Sequence, residues 1–96
     1  MSLALHLAYQ FIQHELHSLA HTHLSVRIHK SSFIIYSIES DQIANRAILT
    51  PFPGNEYVLS IASPRGRWQL IPYAGQLSEQ MSILTGKLAF SLTRWH

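Results

Sequence analysis

Leu24-Ser25-Val26-Arg27-Ile28-His29-Lys30-Ser31-Ser32-Phe33-Ile34-Ile35-Tyr36-Ser37-Ile38 is the stretch on which the fold turns. Its first six residues alternate apolar and polar with period two, as a strand with one wet face does. From Phe33 to Ile38 both alternate sets are apolar, the pattern of a strand covered on both sides. Lys30-Ser31 between them marks a hairpin, so the chain enters an antiparallel sheet here. The doubly apolar second strand further requires something to cover its far face.

Downstream, Glu39 to Asn45 is short and polar, with room for a turn or about two helical turns. Arg46-Ala47-Ile48-Leu49-Thr50 resumes an extended pattern. Pro51-Phe52-Pro53-Gly54-Asn55 ends that strand, and Pro53-Gly54 suits the centre of a type II turn. Tyr57 to Ala62 and Arg67 to Ile71 form a last pair of strands joined through Ser63-Pro64-Arg65-Gly66.

Two local rules disagree about that last hairpin. A two-residue loop would set Ile61 against Trp68 and Leu59 against Leu70, which burial favours. Pro64 fixes a negative φ that tight primed turns reject, and Pro followed two residues later by Gly fits a type I turn with a glycine bulge. The bulge sets Leu59 beside Ile71 and is the preferred reading. A one-residue slip exchanges the two faces, so the side taken by Trp68 depends on it.

A helix brackets the strands at each end. Leu5, Ala8, Tyr9, Ile12, Leu16, Leu19 and Ala20 follow the three-and-four spacing of one helical stripe, predicting a helix over 3–21 with Ser2 as N-cap. At the other end Leu77, Met81, Leu84, Leu88, Leu92 and Trp95 repeat in the same way, predicting a helix capped near Gly75 or Ser78. Gly86 would lie inside it at a cost of about 1 kcal/mol relative to Ala. The expectation is one compact α+β domain over residues 1–96: an antiparallel meander sheet of four or five strands, in the order α-β-β-short connection-β-β-β-α. This order looks like the Roadblock and profilin-like arrangements of small scaffold proteins. Those folds carry a substantial middle helix where this chain has Glu39 to Asn45.

Composition narrows the function. In 96 residues, 47% are hydrophobic and 12% charged, enough apolar surface for a core and too little charge for disorder. A formal charge of +2 is small for a nucleic-acid footprint. With no cysteine there are no disulfides, thiolate metal sites or cysteine nucleophiles, in keeping with a reducing compartment. Met1-Ser2-Leu3 lacks a basic leader, and His6, Gln10 and His14 interrupt the apolar residues that a signal peptide needs. A cytoplasmic protein without a membrane span is therefore expected.

Three constellations carry possible chemistry. His14, His17 and His21 would share one helical face at i, i+3 and i+7, a spacing at which imidazoles can hold one metal ion. Against this, the order His14-Glu15-Leu16-His17 departs from the zinc-protease pattern. Arg65, Arg67 and Trp68 set two guanidinium groups beside an indole, an alternative nucleic-acid contact with Arg27, His29, Lys30 and Arg94-Trp95-His96 in support. Glu15, Glu39, Asp41, Glu56 and Glu79 are scattered and form no catalytic carboxylate pair, so neither an enzyme nor a bound cofactor is expected.

The apolar surplus points further. Leu3, Leu7 and Phe11 make a second ridge on the first helix, and Ile83 and Phe90 make one on the last. Soluble monomers rarely leave such ridges bare. The leading expectation is a small non-catalytic interaction module, a regulator or adaptor that forms a homodimer through these ridges and meets another protein.

Overall fold

The computed structural model describes residues 3–19, 21 and 23–93. Helix α1 (Leu3–Ser18) leads into strands β1 (Ser25–His29), β2 (Ser32–Glu39), β3 (Gln42–Phe52), β4 (Glu56–Ala62) and β5 (Trp68–Gly75). Helix α2 (Leu77–Thr85) and a 3-10 turn (Ala89–Leu92) close the described chain. The strands form one antiparallel sheet in the order β1-β2-β3-β4-β5. This is the α+β meander that the periodicities predict. Ser2, Ala20, Arg94, Trp95 and His96, which figure in the expectations above, lie outside the described residues.

Each turn follows from its residues. Lys30 takes a left-handed φ between β1 and β2. Ser40 and Asp41 sit at φ of 51° and 65°, so a two-residue turn of the primed kind closes β2–β3. No helix forms between Glu39 and Asn45; β3 begins at Gln42, four residues before the strand expected from Arg46. Gly54 at φ 83° fits the third position of a type II turn.

In the last hairpin the Gly66 amide donates to the Ser63 carbonyl (2.9 Å) and the Ser63 amide to the Arg67 carbonyl (2.8 Å). Gly66 lies at φ 79°. This is the type I turn with a glycine bulge, and it sets Ala62 opposite Trp68, Ile61 opposite Gln69 and Ser60 opposite Leu70.

Both helices lie on one face of the sheet, α1 over β1 and α2 over β4 and β5. Val26, Phe33, Ile35, Ala47, Leu49, Leu59 and Ile61 project to that face and meet Ile12, Leu16, Met81, Leu84 and Leu92 in a single core. Gln80, fully buried, fixes α2 to the sheet by donating to the carbonyls of Tyr57 (2.7 Å) and Tyr73 (2.8 Å).

Both helices are shorter than their stripes predict. The His21 amide reaches back to the Leu16 carbonyl (2.9 Å), a six-residue closure that ends α1 before His21. α2 stops at Gly86, whose φ of −103° and ψ of −89° leave the helical region. A Cβ there would meet the Ser82 carbonyl oxygen at 2.8 Å. The chain turns, and the 3-10 segment delivers Leu92 to the core from a new direction. Gly86 is therefore a stop and not a tolerated interior glycine.

Candidate interaction surface

No helix lies on the face opposite α1 and α2; on the far side of β2 Ile34 is nevertheless buried by its neighbours and Tyr36 half-buried, while Ile38 stands exposed. Successive registers align Arg27, Ile34, Ile48, Ser60 and Leu70 straight across all five strands. Toward one end lie the paired Ile38 and Ile43, with Ala62 and Trp68 beside them; toward the other lie Thr50, Val58, Ala74 and Phe52. Ile38 is 63% exposed, Ile43 62%, Leu70 60%, Phe52 51% and Trp68 46%. At about 200–280 Å² for each whole residue, these five alone expose roughly 600 Å².

Trp68 and Leu70 face outward because of the glycine bulge. A two-residue loop would have turned Arg67 and Gln69 to this side and hidden the indole. Turn chemistry at Pro64 and Gly66 outweighs burial here, and the sheet pays with a greasy exterior.

Neutral Thr50 and Ser60 lie among the apolar residues of this face, whereas the charged Arg27 sits at its margin and is tied sideways. The Arg27 guanidinium lies 5.7 Å from the Tyr36 ring centroid and donates to Asn45 Oδ1 (3.3 Å). The two edges are poor templates for another strand: β1 is five residues long and carries Arg27 and His29, while β5 contains Pro72 and an irregular register opposite Val58–Ser60.

A residue that the sequence reading passed over organises the end of the sheet. Ile35 pairs with Ala47 and Tyr36 with Asn45, leaving Arg46 as the extra residue of a β-bulge. The bulge turns Arg46 inward with Ala47, and its side chain is fully buried. The guanidinium donates to Glu39 (2.6 Å), Ser37 Oγ (3.1 Å) and the carbonyls of Ser91 (3.1 Å) and Thr93 (2.5 Å). His23 Nε2 donates to the Leu92 carbonyl (2.8 Å). Two side chains thus clip the C-terminal turn onto the domain. β3 pairs with β4 only from Ala47 onward, and beside the Gln42–Asn45 segment lies a cleft of about 380 Å³ walled by Glu39, Asn45, Ser63 and Trp68.

The expected interface ridges divide. Leu3, Leu7 and Phe90 are exposed, whereas Phe11 and Ile83 are half-buried and pack against the core. His14 and His17 stand exposed on α1, but His21 lies past the helix end, its ring edge-on to His23 at 6.2 Å between centroids. Among the described residues no three His, Cys, Asp or Glu side chains come together as a metal group. Partial burial and the neighbouring His23 lower the His21 pKa below its ordinary 6.5.

Arg65 and Arg67 are exposed at the turn, while Trp68 faces the open side of the sheet. Glu79 accepts from the Gln76 amide (3.0 Å) and from the Tyr73 hydroxyl (2.9 Å), capping α2. Those two bonds hold the Glu79 carboxyl below its ordinary range, and the Glu79 hydrogen bond and charge push the Tyr73 phenol above its own. No helix among the described residues is long and apolar enough to cross a membrane. No family model, curated protein or solved structure matches this chain.

Proposed function

We propose that this chain is a non-catalytic protein-interaction module, a small regulator or adaptor that works as part of an oligomer. One observation carries the reading: a sheet face across β2 to β5, bare of helices, on which Ile38, Ile43, Phe52, Trp68 and Leu70 together expose roughly 600 Å². Its centre is aliphatic and its charged groups lie at the margin, the anatomy of a protein interface. The docking surface is therefore assigned to the sheet, with Leu3 and Leu7 exposed on α1 as a lesser patch and Phe90 beside the β4–β5 hairpin, where it lines a cleft with Trp68.

The nucleic-acid alternative draws less support. Arg67 and Trp68 line one cleft with Phe90, yet the turn brings a single pair of guanidinium groups, Arg65 and Arg67, a small footprint for phosphates. The formal charge of +2 adds little attraction for phosphates.

The test compares proteins retained from the native host by the wild type and by an Ile43→Lys/Leu70→Lys variant. Both side chains are exposed, so the fold, checked by circular dichroism, is expected to survive. Partners held by the wild type are lost by the variant. Identical retention by both, or retention by neither, refutes the reading.

A further inference from the structure

We propose that the molecule covering the open sheet face is a second copy of this chain, packed sheet against sheet about a two-fold axis that lies between the sheets and passes over Ile48. This rests on the interaction-module reading and adds the identity and geometry of the partner.

Area is the first argument. A standard interface takes about 800 Å² from each partner. Five exposed side chains supply roughly 600 Å² of that, and half-buried Tyr36, Ile48 and Val58 stand between them to supply more. The patch is thus the size of one complete half-interface.

Its chemistry is the second argument. Ile38, Ile43, Ile48, Leu70 and Trp68 offer no charge for an unlike partner to answer, and strongly apolar interfaces are those of homodimers. A two-fold arrangement requires a surface complementary to itself, which such a patch satisfies by apolar contact alone. Bulky Ile38 and Ile43 at one corner and small Ser60, Ala62 and Ala74 elsewhere give the relief for two such faces to interlock.

The edges supply the third argument. Short, charged β1 and proline-bearing β5 are poor sites for extending the sheet sideways, whereas the face meets no such obstacle. Two twisted antiparallel sheets pack face to face at about 30° with their layers about 10 Å apart. The helices would then form the outer layers of a four-layer assembly, leaving Leu3 and Leu7 of α1 free on its outside.

The chain has no cysteine, so single-cysteine variants report geometry cleanly. Thr50→Cys places a thiol on β3 beside the axis, and Ser82→Cys places one on the exposed side of α2. Sedimentation equilibrium at tens of micromolar is run on the wild type, on Ile43→Lys/Leu70→Lys and on Leu3→Lys/Leu7→Lys, with short bismaleimide cross-linking of the two cysteine variants. The wild type and the helix variant are expected at twice the 11.0 kDa monomer mass, and the open-face variant at one. Thr50→Cys cross-links to a dimer and Ser82→Cys does not. A monomeric wild type, a dimer that survives in the open-face variant, or cross-linking confined to Ser82→Cys overturns the inference. A dimer lost only in the helix variant overturns it too, yet keeps the interaction-module reading; that reading falls on its own test, when no retained partner depends on the open face.

Discussion

Replacing Arg46 by methionine keeps much of the side-chain length and removes the charge. Glu39 then loses its cation, Ser37 Oγ a donor, and the carbonyls of Ser91 and Thr93 the guanidinium that joins them to β3. Removing one member of a buried ion pair costs about 3–5 kcal/mol, because the other charge stays behind uncompensated. The Glu39 side chain is 22% exposed and keeps some water, which favours the lower end of that range. Two carbonyls left short of a donor add about 1 kcal/mol each. The expected loss is about 5 kcal/mol, against roughly 5–14 kcal/mol for the whole domain. Urea unfolding followed by circular dichroism measures it. Amide exchange at Ser91, whose N–H donates to the Leu88 carbonyl, reports whether the C-terminal turn has come loose. The double variant Arg46→Met/Glu39→Gln removes the orphaned charge and is expected to recover at least 1 kcal/mol relative to Arg46→Met alone. A single-variant loss below about 1 kcal/mol, or a double variant no more stable than the single, refutes the assignment of Arg46 as the charge-paired clip.

Gly66→Ala puts a Cβ into open space but onto a φ of 79°, so strain alone acts, and a loss of about 1–2 kcal/mol in urea unfolding is expected. Glu79→Gln removes the charge beside Tyr73, and the phenol, followed by ultraviolet absorbance, then ionises closer to its ordinary 10.0. The pH dependence has a defined sign. His21 binds its proton less readily in the fold, so its stabilising contribution is complete above 6.5 and is lost as pH falls through its lowered folded value. The lowered Glu79 carboxyl behaves alike at more acid pH, its contribution present above the ordinary 4.5 and lost as pH falls through the folded value. Thermal unfolding between pH 7 and 4 is expected to show a falling midpoint. In His21→Gln the slope just below 6.5 is reduced, and an unchanged slope would refute the His21 assignment.

What the sequence made legible was local. The β1–β2 hairpin is written in the alternation from Leu24 to His29 and the two-residue gap at Lys30-Ser31. The glycine bulge is written in Pro64-Arg65-Gly66, where a fixed φ and a left-handed position leave the backbone little choice. The Arg46 site was hidden because what satisfies it comes from afar: a serine nine residues back, a carboxylate seven back, and carbonyls 45 and 47 residues ahead. Backbone carbonyls carry no side-chain signature. Alternation also concealed the bulge, since Ile43, Ala47 and Leu49 are all odd-numbered, yet Ile43 faces out and the other two face in. One signal was present. On β2 the inward set runs Phe33, Ile35, Ser37, Glu39, and a switch from apolar to polar on a core-facing set calls for a buried polar partner.

The same far-reaching forces explain why the surplus of apolar residues was assigned to the helices. Phe11 and Ile83 read as a second ridge because a stripe is judged against an ideal helix standing alone. With α1 and α2 side by side on one face, those two residues fall against the core. That placement moves the uncovered surface to the other side of the sheet, where β2 had already signalled it by being apolar on both alternate sets. Part of that demand is met within the chain, where Ile34 is buried, and part is not, since Ile38 stays 63% exposed. Burying the indole by a tighter last turn would have eased the demand, but Pro64 forbids it. Local backbone chemistry at one turn therefore keeps Trp68 and Leu70 on the open face of the sheet.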